Sequence, residues 1–147
     1  MGATGTNLVT GQTGQPTAQN DPDSLKLTPH GDLMLTSGDD GQLILVSHPG
    51  TPAQAVSFIQ LLDQSGSPVS GLDDALFVTE RKGTFFLADT SNNRVLAIEA
   101  DEISSGSLFA SVGSLNEFAT VDLTTGKVTP FVPNLSGPHG LVFTPKQ

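Results

Sequence analysis

The 147-residue chain has no cysteine, no tryptophan and no tyrosine, and lysine and arginine together number only six. Without cysteine, disulfide bonds, thiolate catalysis and sulfur-bound zinc are excluded. Fifteen acidic residues give a formal net charge of −9. Because a surface of this sign repels phosphate backbones and anionic lipids, we expect neither nucleic acid nor membrane among the partners.

Long apolar runs are lacking as well. None approaches the roughly 20 residues that a membrane-spanning helix needs. None keeps a period of 3.6 residues for long, so repeats built of helices are excluded. The start of the chain has no basic region and no apolar core, so no signal peptide is predicted. Residues 1–22 are either a flexible leader or, through residues 7–10, an edge or closing strand.

What the chain does contain is a series of short apolar runs separated by turn formers. Its 16 glycines and 10 prolines are spread between these runs, which is typical of short strands joined by turns. The clearest case is a β-hairpin predicted over residues 83–99. There Phe85–Ala88 forms one strand, Asp89–Asn93 the polar turn and Val95–Ile98 the second strand.

This order of strands and turns recurs at an interval of about 50 residues, which predicts propeller blades. The predicted units are residues 23–62, 74–112 and 116–147, and the last ends in a strand that would open a further unit. Residues 55–62 fit a strand better than a short helix because they contain β-branched residues. The aligned positions of the first two units are Leu25 with Leu76, Leu27 with Val78, Thr28 with Thr79, Leu35 with Leu87 and Leu43 with Val95.

The sequence from Phe85 to Ile98 resembles the core of an NHL-type β-propeller repeat. The units around it resemble the wider six-bladed group that includes gluconolactonase-like and paraoxonase-like proteins. The resemblance implies an all-β chain forming a partial β-propeller of about three four-stranded antiparallel blades. Each blade must be covered by neighbours around a ring. The chain is therefore either a fragment of a longer propeller, or two copies associate as a homodimer that completes six blades.

One residue of each unit stands just before its first strand: Asp23, Asp74 and His139. The first strand of a propeller blade is the innermost, so we expect these side chains to converge at one mouth of the central channel. Two carboxylates and an imidazole suit a divalent cation such as calcium or zinc, and the family resemblance implies a metal in this channel. The alternative is that the three residues close turns by hydrogen bonding to nearby backbone groups.

Other polar segments give weaker signals for chemistry. Residues 37–41 have calcium-loop character but lack the distal glutamate, which favours a hairpin turn. In residues 89–94 we expect a structural role, with Asp89 and Asn93 bonding the turn backbone and Arg94 pairing with a nearby acid. Further oxygen donors for a cation would be Asn20, Asn116 and Asn134.

Three functions are compatible with these features. The first, which we favour, is a non-catalytic propeller module that binds a protein partner or a small polar ligand at the channel mouth. The second is a metal-dependent lactonase- or esterase-like hydrolase, in which a channel cation acts as Lewis acid and activates water. The third is a structural arc whose functional residues lie in blades outside this chain. The composition resembles that of bacterial exported propellers, which suggests an extracellular or periplasmic parent protein.

Overall fold

The computed structural model describes residues 3–146. Within this range the backbone forms thirteen β-strands and two single-turn 3-10 helices, Thr90–Asn92 and Gly113–Leu115, and no α-helix. The all-β class expected from the short apolar runs is confirmed. The strands are β1 Thr4–Asn7, β2 Gln15–Pro16, β3 Pro22–Leu27, β4 Leu33–Ser37, β5 Gln42–Ser47, β6 Ala55–Gln60, β7 Leu72–Phe77, β8 Gly83–Asp89, β9 Arg94–Ala100, β10 Leu108–Val112, β11 Glu117–Val121, β12 Val128–Val132 and β13 Pro138–Pro145.

These strands form three sheets. The first sheet has the order β2-β1-β6-β5-β4-β3, the second β12-β11-β10-β7 and the third β13-β8-β9. Paired neighbours are antiparallel except β1 and β6, which run parallel. The strand predicted at residues 7–10 lies earlier, at Thr4–Asn7, because Asn7 Oδ1 accepts hydrogen bonds from the amides of Val9 and Thr10 and turns the chain. Of the predicted leader, residues 1–22, the first two residues lie outside the described residues.

The second sheet is the middle layer, and both of its faces are buried. One face packs against the first sheet in a cluster that includes Met34 and Ile59 from the first sheet and Leu72, Leu108 and Val112 from the second. The other face packs against the third sheet in a separate cluster. The molecule therefore has two cores, one on each side of the second sheet.

Phenylalanine rings fill the core between the second and third sheets. The ring centroid of Phe85 lies 4.7 Å from that of Phe109, 4.9 Å from that of Phe118 and 4.8 Å from that of Phe143. Phe131 completes the cluster, with its centroid 5.2 Å from that of Phe109. Aromatic pairs at these distances contribute beyond their buried area, so Phe85 is the centre of this core.

Each sheet contributes one edge strand to the middle of the molecule. β7 of the second sheet packs beside β3 of the first sheet and β13 of the third. β3, β7 and β13 each contain one of the three predicted site residues, which were expected to stand just before these strands. The fold thus brings these segments together although they are far apart in sequence.

The outer faces of the first and third sheets carry uncovered apolar side chains. On the first sheet Leu25 and Leu27 are 62% and 69% exposed, and the strand register places four half-buried apolar side chains on the same face. Ile44 and Phe58 lie on this face too but are buried. The first end face is therefore Leu25, Leu27, Leu33, Leu35, Val46 and Val56. On the third sheet the corresponding set, the second end face, is Phe86, Ala88, Val95, Ala97 and Val142.

The assignment of strands to units differs from the sequence prediction. The predicted unit 74–112 is not one sheet: β7 pairs with β10, whereas the hairpin of β8 and β9 pairs with β13. The predicted unit 116–147 is likewise divided, because β11 and β12 join the second sheet and β13 the third. The sheets contain six, four and three strands instead of four each.

The pairing of β8 with β13 has a local physical cause. A Cβ at Gly83 would lie 2.3 Å from the ring of Phe143, so the missing side chain leaves the space that this ring occupies. At the other end of β8, Asp89 accepts a hydrogen bond from the amide of Ser136, and the amide of Thr90 donates to the carbonyl of Gly137. These contacts attach the hairpin to the segment before β13 rather than to β7.

Candidate functional site

The three predicted positions lie at the same end of the molecule. Asp23 is near the start of β3, Asp74 near the start of β7 and His139 near the start of β13. Because these strands lie side by side, their first residues approach one another. The three segments therefore lie close together, but the contacts made by the individual side chains differ from those expected of a cation site.

His139 pairs with Asp73 instead of Asp74. Its Nδ1 lies 2.5 Å from Asp73 Oδ1, and the backbone amide of Gly140 donates to Asp73 Oδ2 at 2.6 Å. Asp73 thus holds both the imidazole and the backbone of the first residues of β13. The His139 side chain is half exposed, so the dyad faces solvent at this end of the molecule.

Asp74 is buried, and donors already occupy both of its oxygens. Oδ2 accepts from Lys26 Nζ and from the amide of Leu141, each at 2.6 Å, and Oδ1 accepts from the amide of Ala75 at 2.8 Å. Lys26 Nζ also donates to the carbonyl of Leu141 at 2.7 Å. Asp74 and Lys26 therefore connect β3, β7 and β13, which makes Asp74 a structural residue.

Asp23 is exposed and stands among other acids. Partial burial raises the pKa of its carboxyl, Asp21 and Asp73 raise it further, and His139 opposes them. The carboxylates of Asp21 and Asp23 both lie over Gly38, where a Cβ would be 2.8 Å and 2.5 Å from their oxygens. We call Asp21, Asp23, Asp39, Asp73 and His139 the acidic mouth. It is a region of negative potential facing solvent.

Within residues 3–146, no three histidine or acidic side chains are arranged to hold a metal ion. The structure brings Asp23 and His139 to one end of the molecule, while hydrogen bonds from Lys26 and two backbone amides satisfy the carboxylate of Asp74. The calcium or zinc site therefore stays a prediction from the sequence.

The three candidate asparagines have roles in turns. Asn20 donates two hydrogen bonds to the carboxylate of Asp40, from its backbone amide at 3.0 Å and from its side-chain Nδ2 at 2.9 Å. Asn116 and Asn134 adopt positive φ angles of 55° and 61°, a conformation that asparagine tolerates better than most residues. Asp40 also accepts from Ser37 Oγ at 2.8 Å. The interpretation of residues 37–41 as a hairpin turn fits these contacts.

The turn at residues 89–94 is held by Asp89, which is fully buried. Its Oδ2 accepts from Asn92 Nδ2 and from Arg94 Nε, both at 2.8 Å, while Oδ1 accepts from the amide of Ser136 at 2.7 Å. The hydrogen bond from Asn92, followed by those from Ser136 and Arg94, lowers the pKa of Asp89. The predicted pairing of Arg94 with a nearby acid is confirmed.

Sequence reasoning missed two residues of this region, Lys26 and Asp73. Lys26 stands between Leu25 and Leu27 in β3, and a lysine flanked by two leucines is a signal from which its ion pair could have been predicted. Asp73 precedes Asp74 directly, and side chains of adjacent strand residues point to opposite faces. The sequence therefore showed that only one of the two would face inward, without showing which.

Comparisons of the chain with protein-family models, curated proteins and solved structures gave no match. The resemblance to NHL-type repeats therefore remains a prediction from the hairpin sequence. Among residues 3–146 no helix has the length and apolar character required to cross a membrane.

Proposed function

We propose that this chain is a non-catalytic binding module, a segment of a β-propeller that associates with a second copy to close a ring of six sheets. The observation that carries the proposal is the pair of uncovered apolar end faces on the first and third sheets. The second sheet, which has a neighbour on each side, is buried on both faces. Each of the two outer sheets has a neighbouring sheet on one side only.

The end faces are suited to each other. The first end face consists of aliphatic side chains, and the second combines aliphatic side chains with the ring of Phe86. Apolar surface of this kind marks interaction sites in soluble proteins. Burying such surface contributes about 25 cal/mol per Å². Contact of the first end face of one copy with the second end face of the other, made twice about a two-fold axis, gives a closed dimer.

In this arrangement the acidic mouths of both copies would surround one central axis. We therefore assign partner binding to that end of the ring, where carboxylates that are open to solvent favour a cationic group of a protein or small polar ligand. The hydrolase alternative requires Asp74 as a metal ligand. Because the carboxylate oxygens of Asp74 bind Lys26 and backbone amides, the geometry supports the binding module better.

A charge exchange between the end faces tests this function. Leu27→Lys on the first end face and Val142→Glu on the second should each produce a monomer, because each places a charge in an apolar contact. Mixing the two variants should restore a dimer, since one interface then pairs lysine with glutamate and the other is unchanged. The measurement is native mass spectrometry of each variant and of the mixture, after circular dichroism has verified the fold.

Leu123 provides the matched control. It is exposed to a similar degree as Phe86 but lies in the turn between β11 and β12 of the second sheet, so Leu123→Lys and Leu123→Glu should leave the dimer intact. Monomers that stay monomeric when mixed would contradict the contact between unlike faces. Dimers that survive both single variants would contradict the role of the end faces.

A further inference from the structure

A cavity of about 470 Å³ opens at the end of the molecule opposite the acidic mouth. It lies where β3 and β7 end, between the turn at residues 28–32 and the loop at residues 105–106. Its volume falls within the roughly 300–1,000 Å³ typical of small-molecule sites. It is formed by the first and second sheets of one chain, so it does not depend on the proposed dimer.

The inner wall of the cavity is apolar and fixed in place. Val78 is fully buried, and the half-buried side chains of Leu45 and Phe77 pack against the core between the first and second sheets. Pro29 and Leu123 extend the apolar lining towards the opening. Since these residues belong to sheets or border them, the wall is formed before any ligand binds, which limits the entropy cost of binding.

The rim of the cavity carries one carboxylate in a fixed position. Thr28 Oγ1 accepts hydrogen bonds from the backbone amides of His30 and Asp32, at 3.3 Å and 3.2 Å, and this fixes the turn. Asp32 Oδ1 accepts from the amide of His48 at 3.2 Å. Asp32 Oδ2 has no hydrogen-bond partner within residues 3–146. Among the described residues that line the cavity, Asp32 is the sole acid, and there is no lysine or arginine.

We propose that this cavity binds a small amphipathic amine. The aromatic or alicyclic body lies on Leu45, Phe77 and Leu123, and the protonated amine donates to Asp32 Oδ2. Both parts of the ligand follow from the described lining: the wall offers apolar area, and the rim offers a single carboxylate without a lysine or arginine beside it. The net charge of −9 on the chain further favours a cation over an anion of the same shape.

Three naphthalene probes of the same shape test the proposal: 2-naphthylmethylamine, 2-naphthylmethanol and 2-naphthoate. The chain contains no tryptophan or tyrosine, so naphthalene fluorescence is read without a protein background. We expect saturable binding of the amine and binding of the alcohol that is weaker by roughly 10- to 100-fold, as for loss of a hydrogen bond to a charged group. The carboxylate should not bind. Amide NMR shifts on adding the amine should map to residues 28–32, 77–79 and 105–106.

The decisive variant is Asp32→Asn, which keeps the oxygen that accepts from His48 and removes the charge. It should weaken the amine by roughly 10- to 100-fold and leave the alcohol unchanged. Asp101→Asn is the matched control, because Asp101 is exposed in the turn after β9, outside the cavity lining, and the net charge changes equally. Absence of saturable amine binding, equal binding of all three probes, equal effects of the two variants, or shifts at the acidic mouth would each overturn the proposal.

Discussion

At the scale of single residues, the polar contacts in this chain mainly hold strands together. Lys26 and Asp74 show this most clearly, because one ammonium group and one carboxylate join three strands from three different sheets. Hydrogen bonds that involve charged groups contribute about 1.5–3 kcal/mol each when they are shielded from solvent. The Lys26–Asp74 pair is therefore strong enough to link the strands, although Asp74 was expected to be a metal ligand.

Replacing Lys26 by methionine should lower the free energy of unfolding by roughly 1.5–3 kcal/mol, because Asp74 then stays buried with fewer donors. Urea denaturation at a fixed protein concentration measures the change. Lys146→Met is the control: Lys146 forms an exposed pair with Glu99 at 3.4 Å, and such pairs contribute about 1 kcal/mol or less. Equal losses in the two variants would show that Lys26 is not a link between the strands.

Glu117 provides a test by pH. It is buried at the start of β11, and burial raises the pKa of its carboxyl. The folded chain therefore holds this proton more tightly than the unfolded chain. The contribution of Glu117 to the free energy of unfolding is therefore fully present below the pKa that glutamate has in the unfolded chain. It is lost as the pH rises through the pKa of Glu117 in the folded chain.

Glu117→Gln should consequently raise the melting temperature at pH 7, and the difference from wild type should vanish near pH 4. Thermal unfolding followed by circular dichroism across this range measures it. Glu102→Gln, at an exposed position, should leave the melting temperature nearly constant at both pH values. A Glu117→Gln variant that is less stable at neutral pH would show that the carboxylate makes a favourable contact in the folded state.

At the scale of elements, the existence of strands was easier to predict than their partners. The apolar runs at residues 33–36, 43–46, 85–88, 95–98 and 108–112 all lie in strands. Alternation and turn chemistry are local properties, so they identify a strand. Pairing of β7 with β10 and of β8 with β13 depends on contacts between distant segments, such as Phe143 over Gly83, and no local pattern contains that information.

The corrected pairing of β8 with β13 predicts the effect of Gly83→Ala. The added methyl group would meet the Phe143 ring at 2.3 Å and the Thr144 carbonyl at 2.6 Å, and overpacking of this kind costs about 1–3 kcal/mol. Gly113→Ala is the matched control, since its Cβ would meet Gly71 oxygen at 3.2 Å and little else. Urea unfolding curves compare the two. If Gly83→Ala were as stable as wild type, Phe143 would not pack over Gly83.

The candidate site was predicted in part for the same reason. Alignment of the repeat placed Asp23, Asp74 and His139 at equivalent positions, and the structure does bring these segments to one end of the molecule. The choice between Asp73 and Asp74 depends on the direction of two adjacent side chains, and the role of Lys26 depends on a partner far along the sequence. Repeat spacing contains neither fact.

At the scale of the whole molecule, the central feature is the order of the three sheets. The middle sheet has two covered faces and the outer sheets have one each, so the chain exposes apolar area at both ends. A net charge of −9 keeps like surfaces apart by repulsion, so the attraction must come from these apolar faces. Association should therefore persist at high salt, where charge repulsion is screened.

Closure of the ring by a second copy is tested by the molar mass of the unmodified chain in solution, measured by light scattering during size-exclusion chromatography over a range of concentrations. A closed dimer gives a discrete species of about 30 kDa, twice the chain mass of 15.2 kDa, and no larger assemblies. A mass of 15.2 kDa at every concentration, or a series of growing open oligomers, would contradict closure of the ring by a second copy.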